Sequence, residues 1–218
     1  MNPLLIVTIL TLFGGIIANY ECPPNPDIFH PCECLVDPGV LPFYRSIYCK
    51  GDQPINLTAL FQRLSHELKA DEKDYLNFML FNKAVDVLPA NVFADITFQH
   101  VELGGKNLTK VHRLAFNGTK DTLESLGTDS PLVDGDGDWD VFKAINHAPN
   151  IFFINFAYTN LTKIPDNALQ SHPSLQHIVI ELSPSLTSIG SNAFKNLTKV
   201  ESIRIEGYVK DIGDEAFA

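Results

Sequence analysis

One spacing of apolar residues recurs along this chain and limits what it can fold into. In the segment 98–116, apolar side chains stand at relative positions 1, 4, 6, 11, 14 and 19: Phe98, Val101, Leu103, Leu108, Val111 and Phe116. The segment 151–169 repeats the pattern with Ile151, Ile154, Phe156, Leu161, Ile164 and Leu169. A third ungapped copy, 75–93, carries Tyr75, Phe78, Leu80, Val85, Leu88 and Phe93. Two more copies start at Leu175 and Val200 with one residue gained or lost after the strand. A sixth begins Leu123, Leu126, Thr128 and then loses register in the acidic run 129–140. Start-to-start spacings are 23, 25, 28, 24 and 25 residues. Self-similarity at such a period marks stacked supersecondary units rather than a single folded sheet.

The unit can be read physically. Positions 3 to 7 form a strand whose inward side chains stand at 4 and 6, because an extended chain alternates faces. Positions 11, 14 and 19 turn back inward and close the coil. A lone coil cannot bury both faces, so neighbours must stack into a continuous core with a parallel sheet on one side. Short helical turns are expected on the other side, after segments 88–93, 164–169 and 189–194. An ordinary domain of alternating strands and helices would not need such regular spacing.

These residues resemble the extracellular leucine-rich repeat, LxxLxLxxNxLxxLPxxxF, over roughly 75–217. The expected fold is an α/β leucine-rich-repeat solenoid with a concave parallel sheet and an irregular or short-helical convex side. Position 9, Asn in the family, is Lys83, Lys106 or Thr159 in the ungapped copies, so the usual asparagine ladder between coils is expected to be irregular. The expected organisation is a signal peptide at 1–18, a cysteine-rich cap and short helix at 19–74, and about six repeats at 75–218. The last repeat closes at Phe217 with no second cysteine cap behind it. An uncovered apolar coil favours end-on association or a further segment of chain.

Residues 4–18 are almost wholly apolar, and the run is too short to span a bilayer. It reads as a secretory signal ending at Ala18, which makes the mature protein extracellular. Four cysteines, Cys22, Cys32, Cys34 and Cys49, follow directly, and no others occur. Four cysteines can pair in three ways. The spacing lacks the CxxC and nearby His pair of a zinc site, and export favours oxidation. The resemblance to repeat-protein caps implies Cys22–Cys34 and Cys32–Cys49. Segment 57–68 suits an amphipathic helix between cap and repeats. Five N-x-T sequons place candidate glycans at Asn56, Asn107, Asn117, Asn160 and Asn196. The net charge of −10 argues against a nucleic-acid surface.

Chemistry is harder to find. Asp134, Asp136, Asp138 and Asp140 alternate as at the start of a calcium loop, but Trp139 and Ile145 occupy the places of the required Gly and Glu. The simpler reading is a solvated insertion whose end caps a helix near 139–146. Asp134, Asp136 and Asp138 remain a minor candidate metal site, and a calcium-dependent module or enzyme centred on 129–140 is the alternative function. No HExxH or GxSxG occurs, and Leu103-Gly104-Gly105-Lys106 lacks phosphate-loop spacing. No catalytic residue or cofactor is assigned.

The remaining surface is the outward face of the strands. Asn77, Met79, Phe81, His100, Glu102, Phe153, Asn155, His177, Val179 and Arg204 should line it. Apolar anchors among polar groups are the composition of a protein-binding patch. The IGxxAF endings at 189–194 and 212–217 resemble arthropod secreted proteins related to the non-catalytic subunit of oplophorus luciferase. That resemblance implies a stabilising or carrier role beside a separate catalytic chain.

Overall fold

A computed structural model describes residues 21–37 and 44–218. The expected signal peptide lies outside them. No helix among the described residues is long and apolar enough to cross a membrane.

Thirteen strands are formed among these residues. Eight of them make the main sheet: β1 (Glu33–Asp37), β2 (Tyr44–Gly51), β3 (Asp74–Asn82), β5 (Thr97–Leu103), β7 (Ser125–Thr128), β8 (Phe153–Ala157), β10 (His177–Glu181) and β12 (Ser202–Ile205), in that spatial order. Only the β1–β2 pair is antiparallel. From β2 onward every intervening segment therefore crosses behind the sheet and returns one strand further on, which is a solenoid. The register aligns Phe78, Val101, Leu126, Ile154, Ile178 and Ile203 in one inward row. Leu80, Leu103, Thr128, Phe156, Ile180 and Ile205 make the next. Up to β10 these side chains are buried; Ile203 and Ile205 in the last coil are only partly covered. This is the leucine-rich-repeat solenoid expected from the spacing.

The parallel ladder begins one strand earlier than the repeat pattern. In β2, Ile47 pairs with Phe78 and Cys49 with Leu80, and both Ile47 and Cys49 are fully buried. The cap thus supplies the first coil's strand as well as sealing it. One disulfide joins Cys49 of that strand to Cys32, between the 3-10 turn Pro26–Phe29 and β1, and the other joins Cys34 of β1 to Cys22, ahead of the turn. Arg45 is buried at the same seam. Its guanidinium donates to the carbonyls of Asp74 (2.8 Å) and Asp71 (2.9 Å) and lies 4.8 Å from the centre of the Tyr75 ring. Helix α1 (Leu57–Glu67) is capped by Asn56, whose side chain accepts from the Ala59 amide, and buries Leu57, Leu60, Phe61 and Leu64. Phe61 meets Phe78, Phe93 and Phe98 edge to face at 5.0–5.9 Å, an arrangement that suits the ring quadrupoles.

The convex side differs from the expected helical turns. Two-residue strands stack there: β4 (Val87–Leu88) on β6 (Lys110–Val111), and β9 (Lys163–Ile164), β11 (Ser188–Ile189) and β13 (Asp211–Ile212) on one another. Beyond them the chain makes turns with left-handed residues. Asn91, Asn167, Ser171, Asn192 and Asn196 all have φ between 52° and 58°. Each of their amides donates to a carbonyl of the next coil. A helix would turn those amides inward along its own axis. The left-handed residues turn them along the stacking direction, and Asn tolerates that conformation well. Close stacking also explains the IG pairs. A Cβ on Gly190 would collide with the Asp166 backbone amide, and one on Gly213 with that of Ser191.

Helix α2 (Val141–Asn146) is the exception on this side. It belongs to the damaged repeat, and it packs Val141, Phe142, Ala144 and Ile145 where that repeat lost its regular closing residues. Its N-cap is Asp140, which accepts from the Phe142 and Lys143 amides.

Candidate functional site

The pleat that sends Val101 and Leu103 inward sends the alternate residues to the concave face. Ser46, Asn77, His100, Ser125, Phe153, His177 and Ser202 form one row. Tyr48, Met79, Glu102, Gly127, Asn155, Val179 and Arg204 form a second. In the third, Lys50 aligns with Phe81, and Ala157 with Glu181. The structure thus places the sequence-derived residues Asn77 through Arg204 on one face and in adjacent register. Ser46, Tyr48 and Lys50 were missed. Their signal was present: Tyr44, Ile47 and Cys49 occupy positions 1, 4 and 6, with a cysteine standing in for an apolar residue.

The face has three zones. At the amino end, Phe81 lies over Gly104, where a Cβ would strike its ring. Tyr48 meets Phe81 edge to face at 5.8 Å, and the Lys50 ammonium sits 5.2 Å from the Tyr48 ring centre. At the carboxyl end, Arg204 donates to Glu206 and approaches Glu181 at 3.8 Å. Phe153 and His177 meet edge to face at 6.5 Å, and His177 Nδ1 lies 3.0 Å from the Ser202 hydroxyl.

Between these ends lies Glu102. Its carboxylate extends over Gly127, occupying the space a side chain there would need. Burial lifts the Glu102 carboxyl to about 7, and the Asp129 charge pushes the same way. His100 Nδ1 is 2.8 Å from the Ser125 hydroxyl; desolvation lowers its pKa, partly opposed by Glu124. The side-chain oxygen of Asn155, Oδ1, is buried without a hydrogen-bond partner. His100 and His177 stand three strands apart, roughly 14 Å at ordinary strand spacing, too far to share a metal.

A rim adjoins this face where each strand ends. Tyr158, Leu182 and Tyr208 project there from three successive coils around a hollow of about 400 Å³ that Glu206 also lines. Tyr158 and Leu182 have positive φ, which is rare for bulky residues. The buried Thr159–Ser183 hydroxyl contact of 2.8 Å follows directly and fixes that turn. Thr159 and Ser183 also take over the role of the absent position-9 asparagine. Asn82, one position earlier, does so at the amino end, donating to the Gln53 carbonyl at 2.9 Å and accepting from the Ala84 amide.

The acidic insertion turns its carboxylates to different partners. Asp134 accepts from the Thr162 amide at 2.8 Å and from the Thr162 hydroxyl. Asp138 pairs with Arg113 at 2.6 Å, which holds its carboxyl below the usual range, and Asp140 caps α2. Asp136 is engaged through its backbone with Trp139. The insertion spends these groups on bracing the damaged repeat against its two neighbours. Asn56, Asn107, Asn117, Asn160 and Asn196 are all exposed. Asn107 donates to the Lys83 carbonyl and Asn117 to Asn91, each a contact between neighbouring coils.

A family model described as the BspA type leucine rich repeat region (6 copies) matches residues 141–218. That stretch runs from α2 through the last three strands of the sheet. No curated protein matches the chain.

Proposed function

We propose that this protein is a secreted binding module that recognises another protein through its concave face and carries no catalysis of its own. The observation that carries the reading is the uncovered set of half-buried Met79, Phe153 and Val179 with exposed Phe81 on the concave face, flanked by polar and charged groups. Water gains little from contact with such residues, and a partner that covers them gains their burial. The Tyr158, Leu182 and Tyr208 rim extends the same surface. Leucine-rich repeats commonly serve protein–protein interaction, which supports this use of the sheet. Both disulfides support an oxidising, extracellular setting, as do the apolar leader and the exposed sequons.

The finer reading is a stabilising or carrier subunit of a secreted complex. The last coil supports a second contact. Phe194, Leu197, Val200, Ile203 and Phe217 surround an apolar hollow of about 280 Å³ on it.

The test uses the exported protein as bait in fluid from the tissue that secretes it. A double change, Met79→Glu with Phe153→Glu, should abolish capture of the partner while leaving the melting temperature near that of the parent. Unchanged capture sinks the concave-face reading. Sequencing the exported chain checks the leader: it should begin at Asn19.

A further inference from the structure

We infer that the centre of the concave face receives a basic side chain, arginine or lysine, of an extended protein segment, with Glu102 as its carboxylate partner. The inference rests on the proposed concave-face reading and specifies its occupant. Its ground is a local imbalance of charge. The acids at the carboxyl end of the face have a cation: Arg204 serves both Glu181 and Glu206. At the amino end Lys50 reaches Glu33 at 3.5 Å. Glu102 and Asp129, in the middle, have neither an ion pair nor a side-chain hydrogen bond among the described residues.

The geometry around them leaves acceptors unmet. The Glu102 carboxylate lies over Gly127, so no side chain stands between it and the next strand. Asn155 follows Gly127 in the register, and its side-chain oxygen, Oδ1, is buried and unpartnered. Asp129 stands two residues beyond Gly127 and is exposed. Unmet acceptors beside two carboxylates suit a group made of N–H donors with a positive charge. Phe153 and Met79 flank the position and suit the aliphatic stem of such a side chain. Among the described residues no cation pairs with either carboxylate. Strand β3 presents Asn77, Met79 and Phe81, and β8 presents Phe153 and Asn155, none of them charged. From β7 and its approach come Asp129 and Glu124, both acidic. On β5 itself, His100 is held toward its neutral form.

Burial has already raised Glu102 to about 7, so its ionised fraction changes steeply in the neutral range. A cation needs the ionised form. Affinity should therefore rise with pH, by about tenfold between pH 6 and pH 8.

The chain contains two methionines, Met1 and Met79, and Met79 is the cross-strand neighbour of Glu102 in the second row. Labelling methionine methyl groups with carbon-13 thus gives a reporter on the face, assigned with Met79→Leu. A random-peptide display selection against the immobilised protein at pH 8 supplies the ligands. We expect the enriched peptides to carry Arg or Lys, to move the Met79 methyl signal, and to bind about tenfold more weakly at pH 6. Glu102→Gln should lose about tenfold in affinity and all of that pH dependence, and Asp129→Asn should lose less. Thermal melts confirm that both variants fold. Peptides that move Met79 but lack a basic residue, or bind Glu102→Gln as well as the parent, overturn this inference and leave the concave-face reading standing. A selection yielding no peptide that moves Met79 overturns both.

Discussion

The two ends of the solenoid carry equivalent residues in unequal surroundings. At the amino end, β1 and β2, α1, two disulfides and the buried Arg45 close the stack, and Ile47, Cys49, Phe78 and Leu80 are inaccessible to water. At the carboxyl end the same inward positions belong to Ile203 and Ile205, which are partly covered, while Ile212 and Phe217 are 61% and 52% exposed. The difference is one of neighbours, not of residue type. An apolar side chain in a repeat is buried by its own coil on one side and by the next coil on the other. Its contribution to stability therefore depends on where its coil stands in the stack.

The largest test of that contrast is truncation of one inward row. Ile154→Ala, in the middle of the stack, should cost about 2–5 kcal/mol in denaturant unfolding, through lost burial and the cavity left behind. Ile203→Ala, its equivalent in the last coil, should cost under about half as much. Equal costs would mean that the last coil is covered in solution. Opening the sealed end comes next. Replacing Cys32 and Cys49 together by Ala should remove about 3 kcal/mol, the loop-closure entropy of a 17-residue separation, and calorimetry on the variant measures it. Breaking Cys22–Cys34 instead should cost less, since Cys34 is not fully buried whereas Cys49 is a core residue.

The convex side tests whether the regular coils depend on close backbone stacking. Gly190→Ala would place a methyl group against the Asp166 amide and force the coils apart, at about 1–3 kcal/mol. Gly137→Ala, at an exposed turn where nothing lies within 4 Å of a new Cβ, separates strain from crowding. Its positive φ alone should cost about 1 kcal/mol.

These regions also differ in how far the sequence revealed them. The inward rows were legible because a strand's period of two and the recurring coil length fix which residues meet; Val101, Ile154 and Ile178 follow from spacing alone. The convex ladder was not, since two-residue strands such as Ser188–Ile189 have no periodicity of their own and form only because neighbouring coils align. The cap strand was hidden by Cys49 at a position where the eye seeks Leu. On the concave face the residue rows were legible, but the state of Glu102 was not. Its shift needs the open space over Gly127 and the approach of Asp129, and both depend on three coils being stacked. The insertion shows the reverse case. Its alternating aspartates suggested a shared ligand, and the fold sends Asp134, Asp138 and Asp140 to three separate partners.

The stacked state of Glu102 has a thermodynamic signature of its own. The folded carboxyl titrates near 7 against an ordinary 4.5, so the folded chain binds more protons than the unfolded chain between those values. Its favourable contribution is complete below about pH 4.5 and is lost as the pH rises through 7. Glu102→Gln should therefore match the parent at pH 4.5 and exceed it at pH 8. The group is partly open to solvent, so screening holds the gain to about 1 kcal/mol. Paired melts at the two pH values measure it. A variant no more stable than the parent at pH 8 would mean that the carboxylate is well solvated there.

The smallest effect is expected where the contrast between the ends is sharpest. Ile164, Ile189 and Ile212 hold one position in three successive coils and pair in register on the convex side. The first two are buried, and Ile212 is largely exposed. Ile164→Ala and Ile189→Ala should each cost about 2–5 kcal/mol, whereas Ile212→Ala should cost under about 0.5. The measurement gains force when repeated over a range of protein concentration. If molecules associate end on through the last coil, the cost of Ile212→Ala rises with concentration, because association contributes stability only to the covered state. A cost that stays small from micromolar to millimolar protein removes end-on association of identical chains and leaves the concave face as the surface that meets a partner.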